Sequence, residues 1–178
     1  MIIVTGTPRS RTSMMMYCLS LCGVPMAFEE NNIRNKEQYR NLYGFFEGNW
    51  NGEEGAVKSF FVNEFDKYIN PRFIFMDRNV DCIMNSWEEL AKFELRPDMV
   101  DRRREFITKN KNKRLEAIKK YPHIIVDSDK FVLNPESYRE KFNKVFPELD
   151  FNVLISGIDK NLFVNRYGRN DYNGIAKN

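Results

Sequence analysis

The chain has 178 residues, 42% apolar and 30% charged, which is the size and balance of a single domain, 1–178, with a core of its own. Fifteen Phe and eight Tyr against nine Gly and seven Pro exclude a disordered or collagen-like chain. Its 28 basic and 25 acidic residues leave a net charge of +3, so a preference for anions has to come from clustering and not from bulk charge.

The run Ile2-Ile-Val-Thr5 predicts a strand, Gly6 to Ser13 a polar loop, and Met14 to Cys22 a helix that Gly23-Val24-Pro25 stops. Residues 27–55 are polar, Asn-rich and broken by Gly, a surface excursion with one short helix near Asn35 to Leu42. Ala56-Val-Lys-Ser59 and Arg72-Phe-Ile-Phe-Met-Asp77 predict two further strands with a helix or turn between them. Asn79 to Phe93 puts Val80, Ile83, Met84, Trp87, Leu90 and Ala91 on one helical face. Asp98 to Tyr121 predicts a densely charged helix. Its Arg102-Arg-Arg104 run invites a nucleic-acid reading, but interleaved acids and the stripe Phe106, Ile107, Leu115 and Ile118 favour a solvated outer face, so nucleic acid is not an expected partner. His123-Ile-Ile-Val-Asp127 predicts a fourth strand, and Asn134-Pro135 opens a capped helix. Strands alternating with helices in this way predict an α/β fold of three layers, a central, mostly parallel sheet flanked by helices.

Cys18, Cys22 and Cys82 are too few for a disulfide scaffold and stand in apolar surroundings, so reduced core thiols are expected; no second Cys or His pair completes a zinc site. No apolar run approaches the roughly 20 residues of a membrane span, and the first residues lack a signal-peptide pattern. A cytoplasmic protein without membrane contact is expected.

Sheets of this kind bind ligands at the carboxyl ends of their strands, where a loop and a helix N-terminus present N–H groups to an anion. The Gly6–Ser13 loop falls there. Thr7, Ser10, Thr12 and Ser13 offer hydroxyls and Arg9 and Arg11 guanidinium groups, all suited to phosphate or sulfate oxygens. The Gly-Lys-Ser/Thr ending of a nucleotide-triphosphatase loop is replaced by Arg11-Thr12-Ser13, which disfavours ATP or GTP hydrolysis.

Thr5-Gly-Thr-Pro-Arg-Ser-Arg-Thr-Ser-Met14 resembles the 5′-phosphosulfate loop of the sulfotransferase superfamily, whose fold is of the phosphate-loop type. Phe73-Ile-Phe-Met-Asp-Arg78, followed by Ser86 eight positions on, is similar to the family's 3′-phosphate motif of a strand-end Arg and a helix Ser. Ala56-Val-Lys58-Ser59 resembles the second family strand, and His123 to Phe131 with Asn134-Pro135 the late strand and its Pro-started helix. Leu162-Phe-Val-Asn-Arg166 is similar to a C-terminal segment of bacterial and phage-type members, and Arg166-Tyr-Gly168 partly resembles the loop that closes over the 3′-phosphate.

The resemblance implies transfer of a sulfuryl group from 3′-phosphoadenylyl sulfate (PAPS) to an acceptor hydroxyl or amine, leaving 3′-phosphoadenosine 5′-phosphate (PAP), with no metal required. Thr7, Pro8, Arg9, Ser10, Arg11, Thr12 and Ser13 would hold the 5′ end of the donor, and Arg78, Ser86 and Arg166 its 3′-phosphate. Arg9 stands where the family places the cation that stabilises the leaving oxygen. Cytosolic members carry a base His after the second strand, where Phe60 stands here; His123 is expected to be structural. Other members, the tyrosylprotein enzymes among them, use a Glu after the first helix. Pro8 to Glu30 matches that pattern without a gap, making Glu30, beside Glu29, the candidate base. Glu47 in Tyr43-Gly-Phe-Phe-Glu47 offers a second carboxylate, and both Glu are otherwise surface residues. Arg11 replaces a family Gly. If its backbone needs φ > 0, that costs about 1 kcal/mol or more, and Arg11 either reshapes the loop or adds a phosphate contact. A small-molecule kinase and a non-catalytic nucleotide-binding module are the alternatives, and the acceptor is not encoded in any recognised motif.

Overall fold

The computed structural model describes residues 1–26, 54–91 and 97–158, the side chains of 89–91 and 97–98 excepted. Four strands form one sheet in the order β2-β1-β3-β4, with every pairing parallel. The strands are β1 (Ile2–Gly6), β2 (Ala56–Lys58), β3 (Arg72–Asp77) and β4 (His123–Asp127). All five residues of β1 are buried, as a central parallel strand covered on both faces requires. The registers Val4↔Lys58, Gly6↔Met76 and Asp77↔Asp127 bring the strand ends to one edge.

The period-2 alternation of the strands sorts their side chains onto two faces. Ile2, Val4, Ile74, Met76, Ile124 and Val126 pack under α1 (Thr12–Leu21), α4 (Ser128–Leu133), α5 (Arg139–Val145) and α6 (Phe151–Ser156), in a cluster rich in Met and Phe. Ile3, Val57, Phe73 and Phe75 face the other way, onto Phe65 of a 3₁₀ segment (Val62–Lys67) and Ile118 of α3 (Pro97–Ile118). These are the three expected layers. A smaller cluster of Ile83, Met84 and Ile107 joins α2 (Val80–Ala91) to the first half of α3.

The expected strands and long helices are present, with the second strand ending at Lys58 and the first helix starting at Thr12. After β4 the chain departs from expectation. Asp127 accepts hydrogen bonds from the N–H groups of Asp129 and Lys130 and so caps the six-residue α4, which sequence periodicity is too short to reveal. Asn134-Pro135 opens a 3₁₀ turn (Pro135–Tyr138) and not an α-helix. The Ser137 hydroxyl and N–H both donate to the Asn134 carbonyl, at 2.8 and 3.3 Å, which holds the tighter turn until α5 begins at Arg139. Among the described residues no helix is long and apolar enough to cross a membrane.

Candidate anion site at the carboxyl edge of the sheet

The loop between β1 and α1 owes its path to Gly6. Its φ is +150°, and a Cβ there would lie 2.4 Å from the Met76 carbonyl oxygen and 2.6 Å from Ser10 Oγ. The chain then turns, with Ser10 N–H donating to the Thr7 carbonyl at 3.0 Å. Two non-glycine residues adopt left-handed backbone on either side of Ser10: Arg9 at φ 74° and Arg11 at φ 65°. Such a conformation costs an L-residue about 1–2 kcal/mol and belongs to the backbone shapes that build anion-binding concavities.

Arg11 is the N-cap residue of α1 and makes no side-chain cap, and no acidic residue occupies the first turn. The helix therefore does not carry the side-chain hydroxyl cap that would absorb its first N–H groups. Ser10 is fully buried, and its hydroxyl, like that of the buried Thr5, has no hydrogen-bond partner among the described residues. Thr7 and Thr12 are buried at the same edge, and Pro8 and Ser13 are half-buried.

Five side chains from distant parts of the sequence converge on this loop: Lys58, Arg78, Ser86, Ser128 and Asp129. Arg9 Nε donates to Ser86 Oγ at 3.0 Å, joining the loop to the second turn of α2. Arg78, 4% exposed, leaves the end of β3 and donates through Nη1 to the Arg9 carbonyl at 2.8 Å. Arg11 reaches across to α4, donating to Ser128 Oγ at 3.2 Å and pairing with the Asp129 carboxylate. Arg78 Nε lies 3.6 Å from the same Asp129 oxygen. Lys58, at the end of β2 and 8% exposed, donates to Ser13 Oγ at 3.3 Å.

The sequence-predicted residues Thr7, Pro8, Arg9, Ser10, Arg11, Thr12, Ser13, Arg78 and Ser86 thus share one edge. Arg9 lies between Arg78 and Ser86, bonded to both. The Arg11 backbone is left-handed, and its side chain turns to α4. Glu29, Glu30, Glu47 and Arg166 lie outside the described residues. Lys58, Ser128 and Asp129 were not singled out as site residues. For Lys58 the available signal was a lone cation ending an apolar strand; for the Ser128-Asp129 pair it was a capping sequence directly after β4.

Charge extends beyond the hydrogen-bonded set. Burial pushes the Cys82 thiol above its ordinary pKa; Asp129 adds to the rise, and Arg78 and Arg11 oppose it, so this thiol on α2 stands in the field of the same cluster. All three cysteines are free. Tyr138 braces the far side, its hydroxyl accepting from the Asp127 N–H at 3.1 Å, and burial raises its pKa. His123, at the opposite end of β4, has its Nδ1 2.8 Å from the Tyr121 carbonyl oxygen. A groove of about 550 Å³ runs along α3 beside Arg104, Thr108 and Asn112, and another of about 280 Å³ lies beside Phe65 and Tyr121. Both are lined by residues away from the loop, and the candidate site is located by its convergent donors. Neither a scan against protein-family models nor a search of curated proteins finds a match to this chain.

Proposed function

We propose that the chain transfers a sulfuryl group from PAPS to an acceptor hydroxyl or amine. The observation that carries this reading is the meeting of Arg9, Arg78 and Ser86 beside a helix N-terminus without a side-chain cap, at the carboxyl edge of a parallel sheet. One such loop suits any phosphate; a second anion-binding pair from β3 and α2 suits a nucleotide phosphorylated at both ends.

In the proposed reaction the acceptor oxygen or nitrogen attacks sulfur in line. The bond from sulfur to the bridging oxygen breaks, and its electron pair leaves with the 5′-phosphate of PAP. Arg9 stabilises the charge that builds on that oxygen, and the N–H groups of α1 with Thr12 and Ser13 hold the phosphate. Lys58, already bonded to Ser13, contributes a second cation from β2. Arg78 and Ser86 hold the 3′-phosphate. The acceptor proton passes to a carboxylate, for which Glu30 and then Glu47 are the candidates.

The test is release of PAP from PAPS, followed chromatographically without magnesium in the presence of phenolic, alcoholic and amine acceptors. Turnover is expected, with Arg9→Ala lowering it by about 100-fold or more, the scale of losing one fixed donor at a developing oxyanion. Formation of ADP from ATP and magnesium without PAP release would replace this reading with a kinase. Turnover unaffected by Arg9→Ala would remove the mechanism.

A further inference from the structure

Arg11 is an unusual residue for a left-handed loop position, and its side chain has a specific destination. It spans to α4, where Ser128 Oγ and the Asp129 carboxylate receive it. Ser128 is fully buried, and the Arg11 and Asp129 side chains are 14% and 16% exposed, so this is an enclosed bridge and not a surface pair. The same carboxylate oxygen faces Arg78 Nε at 3.6 Å, and Arg78 is itself bonded to the loop backbone at Arg9. Asp129 is held in turn by the Asp127 carboxylate, which accepts its N–H at 3.1 Å. One carboxylate therefore answers two guanidinium groups at the rim of the anion loop.

We propose that Asp129 is a positioning residue that keeps the Arg11 guanidinium turned away from a bound anion and sets the effective charge of the loop. Arg11 and Asp129 then act on a ligand as a neutral pair, leaving Arg9, Arg78, Lys58 and the helix N–H groups as the attracting set. No anion then gains from the Arg11 charge, so the attraction at the loop is set by the remaining donors rather than by excess charge. The inference rests on the proposed function only in taking the loop as an anion site; it does not depend on the donor being PAPS.

The experiment is calorimetry on the full chain with inorganic pyrophosphate as the probe, across wild type, Asp129→Asn, Arg11→Gly and the double variant. Uncovering a unit charge at the rim of the loop should tighten pyrophosphate binding by about fivefold or more in Asp129→Asn, and Arg11→Gly should weaken it by a similar factor. The double variant should return to within about twofold of wild type, because the pair leaves as a neutral unit. Asp129→Glu should behave as wild type. A double variant as weak as Arg11→Gly would overturn the inference, since Arg11 would then touch the anion itself. So would unchanged binding in Asp129→Asn, or no binding by any of the four. Glycine suits the Arg11 backbone, so Arg11→Gly and the double variant still decide the question if Asp129→Asn fails to fold. The expected pattern together with no affinity for PAP would leave Asp129 in its role and refute the donor assignment.

Discussion

Gly6→Ala should be among the most damaging single-methyl changes in the chain. The φ of +150° strains any L-residue, and the new Cβ would stand 2.4 Å from the Met76 carbonyl oxygen. That carbonyl belongs to β3, which is paired in register with β1 up to Gly6↔Met76, so it cannot retreat without opening the centre of the sheet. The second collision, 2.6 Å from Ser10 Oγ, is against a fully buried side chain of the loop. Backbone strain of about 1–2 kcal/mol plus a clash with fixed backbone gives a total of about 3–5 kcal/mol, a large share of the ~5–15 kcal/mol that holds a domain together. Gly23→Ala is the control: φ is +75°, but its Cβ would meet nothing within 4 Å, so only the strain of about 1 kcal/mol should be felt. Urea unfolding followed by far-ultraviolet circular dichroism reads both. With a slope of about 2 kcal/mol per M, Gly6→Ala should lower the midpoint by about 1.5–2.5 M and Gly23→Ala by about 0.5 M. Equal midpoint shifts for the two variants would refute the account of the loop.

Three further outcomes are expected. Burial pushes the Cys18 thiol up to about 12 from an ordinary 9.0, so the folded state keeps a proton that the unfolded chain releases. Stability from this group is whole below pH 9 and falls as pH rises towards 12, by up to about 1.4 kcal/mol per unit; urea midpoints between pH 8 and 10.5 should drop, and Cys18→Ala should flatten that slope. Hydrogen bonds from Arg72 hold the Glu148 carboxyl below its ordinary range against a smaller effect of burial, so its contribution is present above the ordinary carboxylate pKa and fades as pH falls. The pair is partly exposed, which limits that contribution to well under about 1 kcal/mol, but Arg72→Met also removes a 2.9 Å bond to the Val145 carbonyl, and about 1 kcal/mol should be lost at pH 7. Lys58→Met should fold normally, its stem packing as before, and weaken PAP binding by about tenfold in calorimetry, the worth of one charge-assisted contact.

The central sheet was legible because Ile2 to Thr5, Arg72 to Asp77 and His123 to Asp127 are short apolar or β-branched runs with turn signals around them, and burial on two faces leaves such runs little choice. Arg9 was a candidate because it stands in the loop after the first strand, and Ser86 only through the resemblance to a strand-end Arg followed by a helix Ser; the structure joins the two by a hydrogen bond although they are 77 residues apart. Asp129 was not, because its meaning lies in a contact with Arg11 118 positions away, and nothing local in Ser128-Asp129-Lys130 distinguishes a bridge from an ordinary capping sequence. The Asn134-Pro135 turn misled for a related reason: cap and Pro mark where a helix can start, while the Ser137 bonds to Asn134 decide which helix forms. The conformation of Arg11 was legible only as a conditional, since φ > 0 at a bulky residue is decided by the bridge that holds it.

The proposed donor makes one demand that no plain phosphate loop would meet. Arg78 and Ser86 should recognise a phosphate on the 3′ position, and a charge-assisted contact of that kind is worth about 1.5–3 kcal/mol, or roughly 10- to 100-fold in affinity. Calorimetric titration of the chain with PAP and, separately, with adenosine 5′-phosphate measures it directly. The account predicts PAP to bind at least about tenfold more tightly; equal affinity for the two nucleotides, or none for either, would contradict it.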